Sequence, residues 1–359
     1  MEDLHTHFPA LSSYVYLNTA ANGLIPNSVL DWRRKHDSDL MVHPSGFREG
    51  AKAHLDKVKT TIGRFFGAST NEIGLIPNFS LGLNIILDGL PQGQKILLLK
   101  NDYPSVTWPV ETRDFNVCYA EIDENLENNI EAAIAKHRPD VFIFSIVQWL
   151  SGIKIDLEFV KSLKQSQPEL LLIADGTQYL GSEFFNFHES GIDVLGTSGY
   201  KWLTSGFGNG IIMVKKEAQR HIFPRTIGFN SAENFSSSPG ETQFIKHFEP
   251  GHLNTLNFGS LEQSLLFIES YGKENLYAKI KMLSDLAKSR FEAMGLLTNS
   301  TILRRSHSSI FNLKGNDKMF QKLRSNNIIS SPRGGGIRVS FHYYNSTSDL
   351  EKLLEVIGA

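Results

Sequence analysis

The middle of the chain alternates short apolar runs with amphipathic segments, and this alternation constrains the fold more than any other feature. "KILLLK" (95–100), "VFIFSIV" (141–147), "LLLIAD" (170–175), "IDVLGTS" (192–198) and "NGIIMV" (209–214) read as buried strands. Between them, "NNIEAAIAKHR" (128–138) and "DLEFVKSLKQSQ" (156–167) carry helical spacing. Strands alternating with helices build βαβ units, so the expected class is α/β, a mostly parallel sheet covered by helices on both faces. Ligands of such sheets bind beyond the carboxyl ends of the strands. After about residue 255 the pattern changes. Two long helical stretches, then "SSIFNLK", "IRVSFH" and "TSDLEKLLEVIG", read as a compact α+β unit. The 359 residues suffice for two units. The expectation is a large domain over 21–255 and a small one over 256–359, with residues 1–20 packing on the small one. The Gly/Ser/Pro-rich stretch 226–242 reads as a loop near the pocket.

Composition narrows the partners. A formal net charge of −2 gives no electrostatic reason to expect nucleic acid or an anionic membrane. The single cysteine, Cys118, excludes an intrachain disulfide and fits a reducing compartment. The first residues lack the basic flank and apolar core of a signal peptide, and no apolar run is long enough to cross a bilayer. A cytoplasmic protein is expected.

Polar groups recur at the strand ends. Asp175 closes "LLLIAD", and Gln178 lies one turn further on if a helix starts there; taken alone, such an aspartate reads as a cap or turn residue. Lys201 follows "TSGY". A lone lysine ordinarily faces solvent, but this one sits between Tyr200 and Trp202 among glycines. A lysine in partly apolar surroundings can lose its proton and attack a carbonyl to form a Schiff base. An aspartate one strand earlier can keep a pyridine nitrogen protonated, making the ring an electron sink. Upstream, "IPNFSLGLNIIL" (76–87) reads as a loop entering a helix, whose first N–H groups and Ser80 hydroxyl suit an anion. "NDYPSVTWP" (101–109) puts Tyr103 at another strand end, where core packing is the plainer reading of the residue by itself. Together, an anion cup, an aromatic face, an aspartate and a lysine at successive strand ends are what a pyridoxal phosphate site requires. A nicotinamide-binding alternative fails, because the glycines of "SGFGNG" (205–210) lead into a strand rather than a helix.

Along nearly its whole length the sequence resembles the class V aminotransferases, fold-type-I pyridoxal phosphate enzymes whose superfamily includes cysteine desulfurases and isopenicillin N epimerase-like proteins. The resemblance is carried by "YLNTAANGLIP" (16–26), "NFSLGLN" (78–84), "DYPS" (102–105), "SIVQWLSGIKIDL" (145–157), "ADGTQ" (174–178), "TSGYKWL" (197–203), "FEPGHLN" (248–254) and "IRVSFHYYNSTSDLEKL" (337–353). It implies Lys201 as covalent anchor and proton carrier, Asp175 at the pyridine nitrogen and Gln178 at the ring hydroxyl. Tyr103 would stack on the ring where the family usually has histidine. Ser80, Ser198 and the backbone at Phe79 would cradle the phosphate, with Tyr200 replacing a phosphate-binding histidine of desulfurases. His252 stands where desulfurase-like members reach the partner subunit's phosphate, which implies a homodimer; as an isolated residue it reads equally as a loop histidine capping a helix. Arg338 matches the arginine that clamps the α-carboxylate of an amino acid substrate, and Asn22 lies in a segment near that carboxylate, although "TAANG" is also an ordinary turn. Arg333, in "SPRGGG", reads as a solvated loop charge.

Two departures bear on the reaction. Desulfurases carry a cysteine in the loop before "IRVSF", where this chain reads "NNIISSPRGGG". Trp149 occupies the place of a desulfurase asparagine, and an indole cannot copy an amide's donors and acceptor. Transamination is the expected outcome by the breadth of the family, with a lyase or an epimerase as alternatives and desulfuration disfavoured. A non-catalytic relative would have lost the lysine, the aspartate or the arginine, and all three are present.

Overall fold

Seven short strands form the main sheet, in the spatial order Ile73–Ile76, Gly210–Val214, Val194–Ser198, Leu171–Asp175, Val141–Ser145, Lys95–Leu99 and Asn116–Ala120. The computed structural model describes residues 4–232 and 242–358, so the middle of the loop expected over 226–242 lies outside the described residues. Gly210–Val214 runs antiparallel to both neighbours, and the other strands share one direction. The apolar runs read as strands are strands, trimmed by one or two residues. Ile73–Ile76 is an addition, since four residues interrupted by a glycine carry too little pattern to be read.

Alternation decides what each face buries. Leu97, Phe142, Phe144, Leu172 and Met213 join one apolar cluster, and Ile96, Leu98, Val141, Ile143 and Ile173 join the other. Successive strand residues point to opposite faces, so strands covered on both sides must be apolar throughout. The covering helices Phe79–Asp88, Leu126–His137 and Leu157–Ser166 fill the connections between strands. The helices Asn27–Val42 and Pro44–Phe66 pack on Thr255–Ser270, with the Trp32 ring lying where a side chain on Gly259 would stand.

A third apolar cluster, including Leu17, Phe291, Phe311, Val339 and Leu353, surrounds a separate antiparallel sheet of Ser331–Arg333, Gly336–Ser340 and Ile310–Leu313. Val15–Tyr16 pairs in parallel with Ile328–Ile329, while Leu4 and Phe8 belong to a cluster of the main sheet. No helix among the described residues is long and apolar enough to cross a membrane.

Two glycines separate space from conformation. Gly23 donates to the Tyr200 carbonyl at 2.9 Å, and a Cβ there would stand 1.9 Å from the Lys201 carbonyl oxygen. Gly46, in the exposed first turns of Pro44–Phe66, meets nothing within 4 Å. Urea unfolding should show Gly23→Ala destabilised by about 1–3 kcal/mol through overpacking against backbone. Gly46→Ala should gain about 0.5–1 kcal/mol by removing a flexible residue from a helix.

Candidate active site

The strand Val194–Ser198 ends one turn before Lys201, and that turn packs against the Gly23 segment. Lys201 is only 6% exposed and has no ion-pair partner within 4 Å among the described residues. Its Nζ lies 5.5 Å from the centre of the Tyr103 ring and 5.6 Å from that of Tyr200. Burial drives its proton affinity well below that of an ordinary lysine; Asp175 partly offsets this, and Arg338 and Arg333 add to it. An amine held this way is a nucleophile near neutral pH.

Asp175 ends its own strand in register with Ser145 on one side and Gly196 on the other. Its Oδ1 accepts the Thr177 N–H at 2.8 Å, closing a turn, and the helix expected after it does not form. Burial raises the Asp175 carboxyl, against the opposing effects of Thr177 and Lys201. Gln178 is nonetheless fixed. Its Nε2 donates to the Ala20 carbonyl at 2.9 Å and its Oε1 accepts the Trp202 indole N–H at 2.8 Å. One Nε2 hydrogen remains for a ligand.

The anion cup is built at a helix start. Asn78 caps Phe79–Asp88 by accepting the Leu81 N–H at 3.0 Å. The Phe79 N–H donates to Ser198 Oγ at 3.0 Å, and Ser80 Oγ donates to Ser105 Oγ at 2.9 Å. Three hydroxyls therefore gather at the positive end of a helix.

Arg338 is 2% exposed, at the centre of the small antiparallel sheet between Ser331 and Asn312. Its Nη1 donates to the Trp149 carbonyl at 2.7 Å, while among the described residues its buried Nε has no partner and no carboxylate lies within 4 Å. Burial lowers its proton affinity to about 10, with the nearby Arg333 charge adding to the effect. Trp149 packs edge-on against Tyr103 at 5.5 Å, and its indole N–H is also buried without a partner. Tyr200 stacks on exposed Phe207, and burial pushes its phenol up to about 12, so it stays protonated. Arg333 is exposed but close enough to act on both Lys201 and Tyr200.

Two expected residues have other contacts of their own. His252 is exposed and stacks on Phe229. Asn22 lies in the turn beside Gly23, where its carbonyl accepts the Tyr16 hydroxyl at 2.6 Å.

Sequence reasoning missed several supports. Asp102 is fully buried and accepts the N–H groups of Tyr103 at 2.7 Å and Ser145 at 2.8 Å, tying two strand ends together. Asp102 lies three residues beyond the strand Lys95–Leu99, whereas Asp175 closes its own strand. Gln148 Oε1 accepts the Leu150 and Ser151 N–H groups and so fixes the turn that carries Trp149. Ser105 and Thr177 complete the cup and the Asp175 turn, and nothing local in the sequence marks them.

The donors present fit pyridoxal phosphate: a hydroxyl-lined helix start for the phosphate, a buried amine for the aldehyde, a carboxylate for the ring nitrogen and aromatic faces for the ring. Comparisons with known proteins agree. A probable cysteine desulfurase of Ureaplasma parvum is 21% identical, the match covering 99% of this chain and 97% of that protein. The apo cysteine desulfurase of Thermococcus onnurineus superposes with a TM-score of 0.86 at 18% identity, covering 99% of this chain and 96% of that one. A complex of the cystine C–S lyase C-DES with its product cysteine persulfide also gives 0.86, at 20% identity over 98% of this chain and 99% of the other. At these identities the structural likeness is one of fold. The family described as Aminotransferase class-V matches residues 15–353. The chain belongs to the class V aminotransferase family of pyridoxal phosphate-dependent enzymes.

Proposed function

We propose that this enzyme acts on the α-amino group of an amino acid through a Schiff base at Lys201, and that its reaction is cleavage at the β-carbon. The observation that carries the substrate class is Arg338, a guanidinium buried without a carboxylate. An unpaired buried charge is costly, and its Nε edge suits the carboxylate of an amino acid. The Trp149 carbonyl holds Nη1 and thereby fixes the plane of the fork.

The cofactor, when bound, supplies an electron sink for chemistry at the α-carbon. Lys201 would hold it through its amine and would serve as the base for the substrate's α-proton. Tyr103 and Tyr200 wall the amine and exclude water from it. The Tyr200 phenol, pushed up by burial, is not a useful base near neutral pH. Loss of a thiolate from the β-carbon, with the C–S electron pair leaving on sulfur, then yields pyruvate and ammonia after hydrolysis.

One feature supports a lyase over the amino transfer expected from the breadth of the family, and a second bears on where the sulfur goes. The fold is shared with a cystine C–S lyase. Cys118, the only cysteine, is buried in the strand Asn116–Ala120 with its Sγ directed at the Ile96 carbonyl. Sulfur would therefore leave to solution rather than pass to a protein thiol. Amino transfer stays as the second reading because the family bears that description.

We also infer a homodimer. Leu81, Phe207 and Phe229 are exposed, Leu81 on the cup helix, Phe207 against Tyr200 and Phe229 against His252. Light scattering should give twice the chain mass, and a monomer at micromolar concentration removes this part of the reading.

Borohydride should fix the cofactor on wild-type protein and not on Lys201→Ala, whose turnover falls by about 10²–10⁴. Cofactor capture by the apoprotein should rise with pH on a curve centred well below that of an ordinary lysine, because burial favours the neutral amine. A screen of L-cystine, L-cysteine and other amino acids should release pyruvate and ammonia together. Arg338→Lys should raise KM roughly tenfold or more, the loss of a charge-assisted pair. A new amino acid formed from an added 2-oxo acid, without ammonia, would establish transfer instead.

A further inference from the structure

A cavity of about 530 Å³ lies apart from Lys201, between the helix Lys273–Ala293, the turn at Ser182–Phe184 and the segment 305–309 that enters the strand Ile310–Leu313. Its volume is in the range of small-molecule sites. Both carboxylates that line it are taken. Lys154 holds Glu183 at 2.6 Å, and Lys281 holds Asp285 at 2.6 Å. Lys288 and Arg305 remain without an acidic partner among the described residues, Lys288 donating only to the Arg304 carbonyl at 2.7 Å. The lining therefore sets four cations, Lys154, Lys281, Lys288 and Arg305, against two carboxylates, with Glu292 also acting on Lys288 from outside it. Ser309 lines the same space, is 4% exposed, and has a buried hydroxyl with no partner among the described residues. A buried hydroxyl left unpaired is unfavourable unless a ligand completes it. Phe184 and Tyr277 add aromatic surface.

We propose that this cavity binds a small organic anion with a planar body, and that its occupancy acts on the amino acid site through the turn at 150–152. The connection is a continuous set of contacts. Ser308 Oγ donates to the Gly152 carbonyl at 2.9 Å, its N–H donates to the same oxygen at 3.1 Å, and His307 Nε2 lies 3.1 Å from the Ser151 carbonyl. The turn has no slack. Gly152 has a φ of 76°, and a Cβ there would be 2.0 Å from the Ile310 carbonyl oxygen. The same turn includes Trp149, whose carbonyl holds Arg338. A ligand on Ser309 and Arg305 thus bears on the segment that orients the substrate-binding guanidinium.

Isothermal titration of the full-length holoenzyme with AMP and ATP in one arm, and benzoate and indole-3-carboxylate in the other, tests this. One arm should bind saturably, one molecule per chain, and identify whether phosphate or carboxylate is the anion. Arg305→Glu should weaken binding at least tenfold and Ser309→Val should weaken it measurably, with the cofactor absorption of both unchanged. The bound probe should shift KM for the amino acid at least twofold in wild type and not in Arg305→Glu. No saturable binding by any probe, or equal binding to wild type and Arg305→Glu, overturns the site; binding without a shift in KM overturns the coupling. The titration does not depend on which reaction Lys201 carries, so its failure leaves the functional reading untouched.

Discussion

The structure depends on the in-register parallel ladder that sets Ser145, Asp175 and Gly196 side by side at one edge of the sheet. Parallel strands must return through crossovers, so residues about thirty positions apart in sequence end at the same edge. Each crossover then has to start from the carboxyl end of a strand, where backbone groups leave the ladder and need new partners. Asp102 and Asp175 supply them, accepting N–H groups of Ser145, Tyr103 and Thr177. The residues that finish the sheet are thus the ones that surround the ligand.

That arrangement places charges where water is scarce. Lys201 and Arg338 are both buried, and among the described residues neither forms an ion pair within 4 Å. Burial pushes both toward lower proton affinity, Arg333 adding to it at each and Arg338 at Lys201, while Asp175 draws Lys201 back. For Arg338, whose guanidinium stays charged, the remaining remedy is an anionic ligand. For Lys201 a second remedy exists, the neutral amine, which is also the reactive form. In the proposed reading, the same physical cost makes one cation a clamp and the other a nucleophile.

Much of this was legible from residue order. The strands from Lys95 to Val214 appear as apolar runs because both faces of a parallel sheet are buried, and Lys201 and Asp175 stand at the ends of such runs. The start of the cup helix was marked by "PNFS". Asp102, three residues past its strand and inside a loop, carries a weaker local mark than Asp175, which closes its strand. Gln178 was found for its spacing, yet the helix inferred to carry it is a turn, since Asp175 spends its side chain on the Thr177 N–H. The helices Asn27–Val42 and Pro44–Phe66 gave weak signals because most of their surface is exposed and charged, and only a narrow stripe meets Thr255–Ser270.

By itself the sequence determined the α/β class and the family, and it singled out Lys201 as the proposed anchor, because periodicity and short motifs are local properties of the chain. Only the tertiary structure decided that Arg338 lacks a carboxylate, that the Trp149 carbonyl orients it, and that Ser309, Lys288 and Arg305 share a second cavity. Those facts depend on which groups approach from distant segments, and whether a charge is compensated is set by its neighbours in space rather than along the chain.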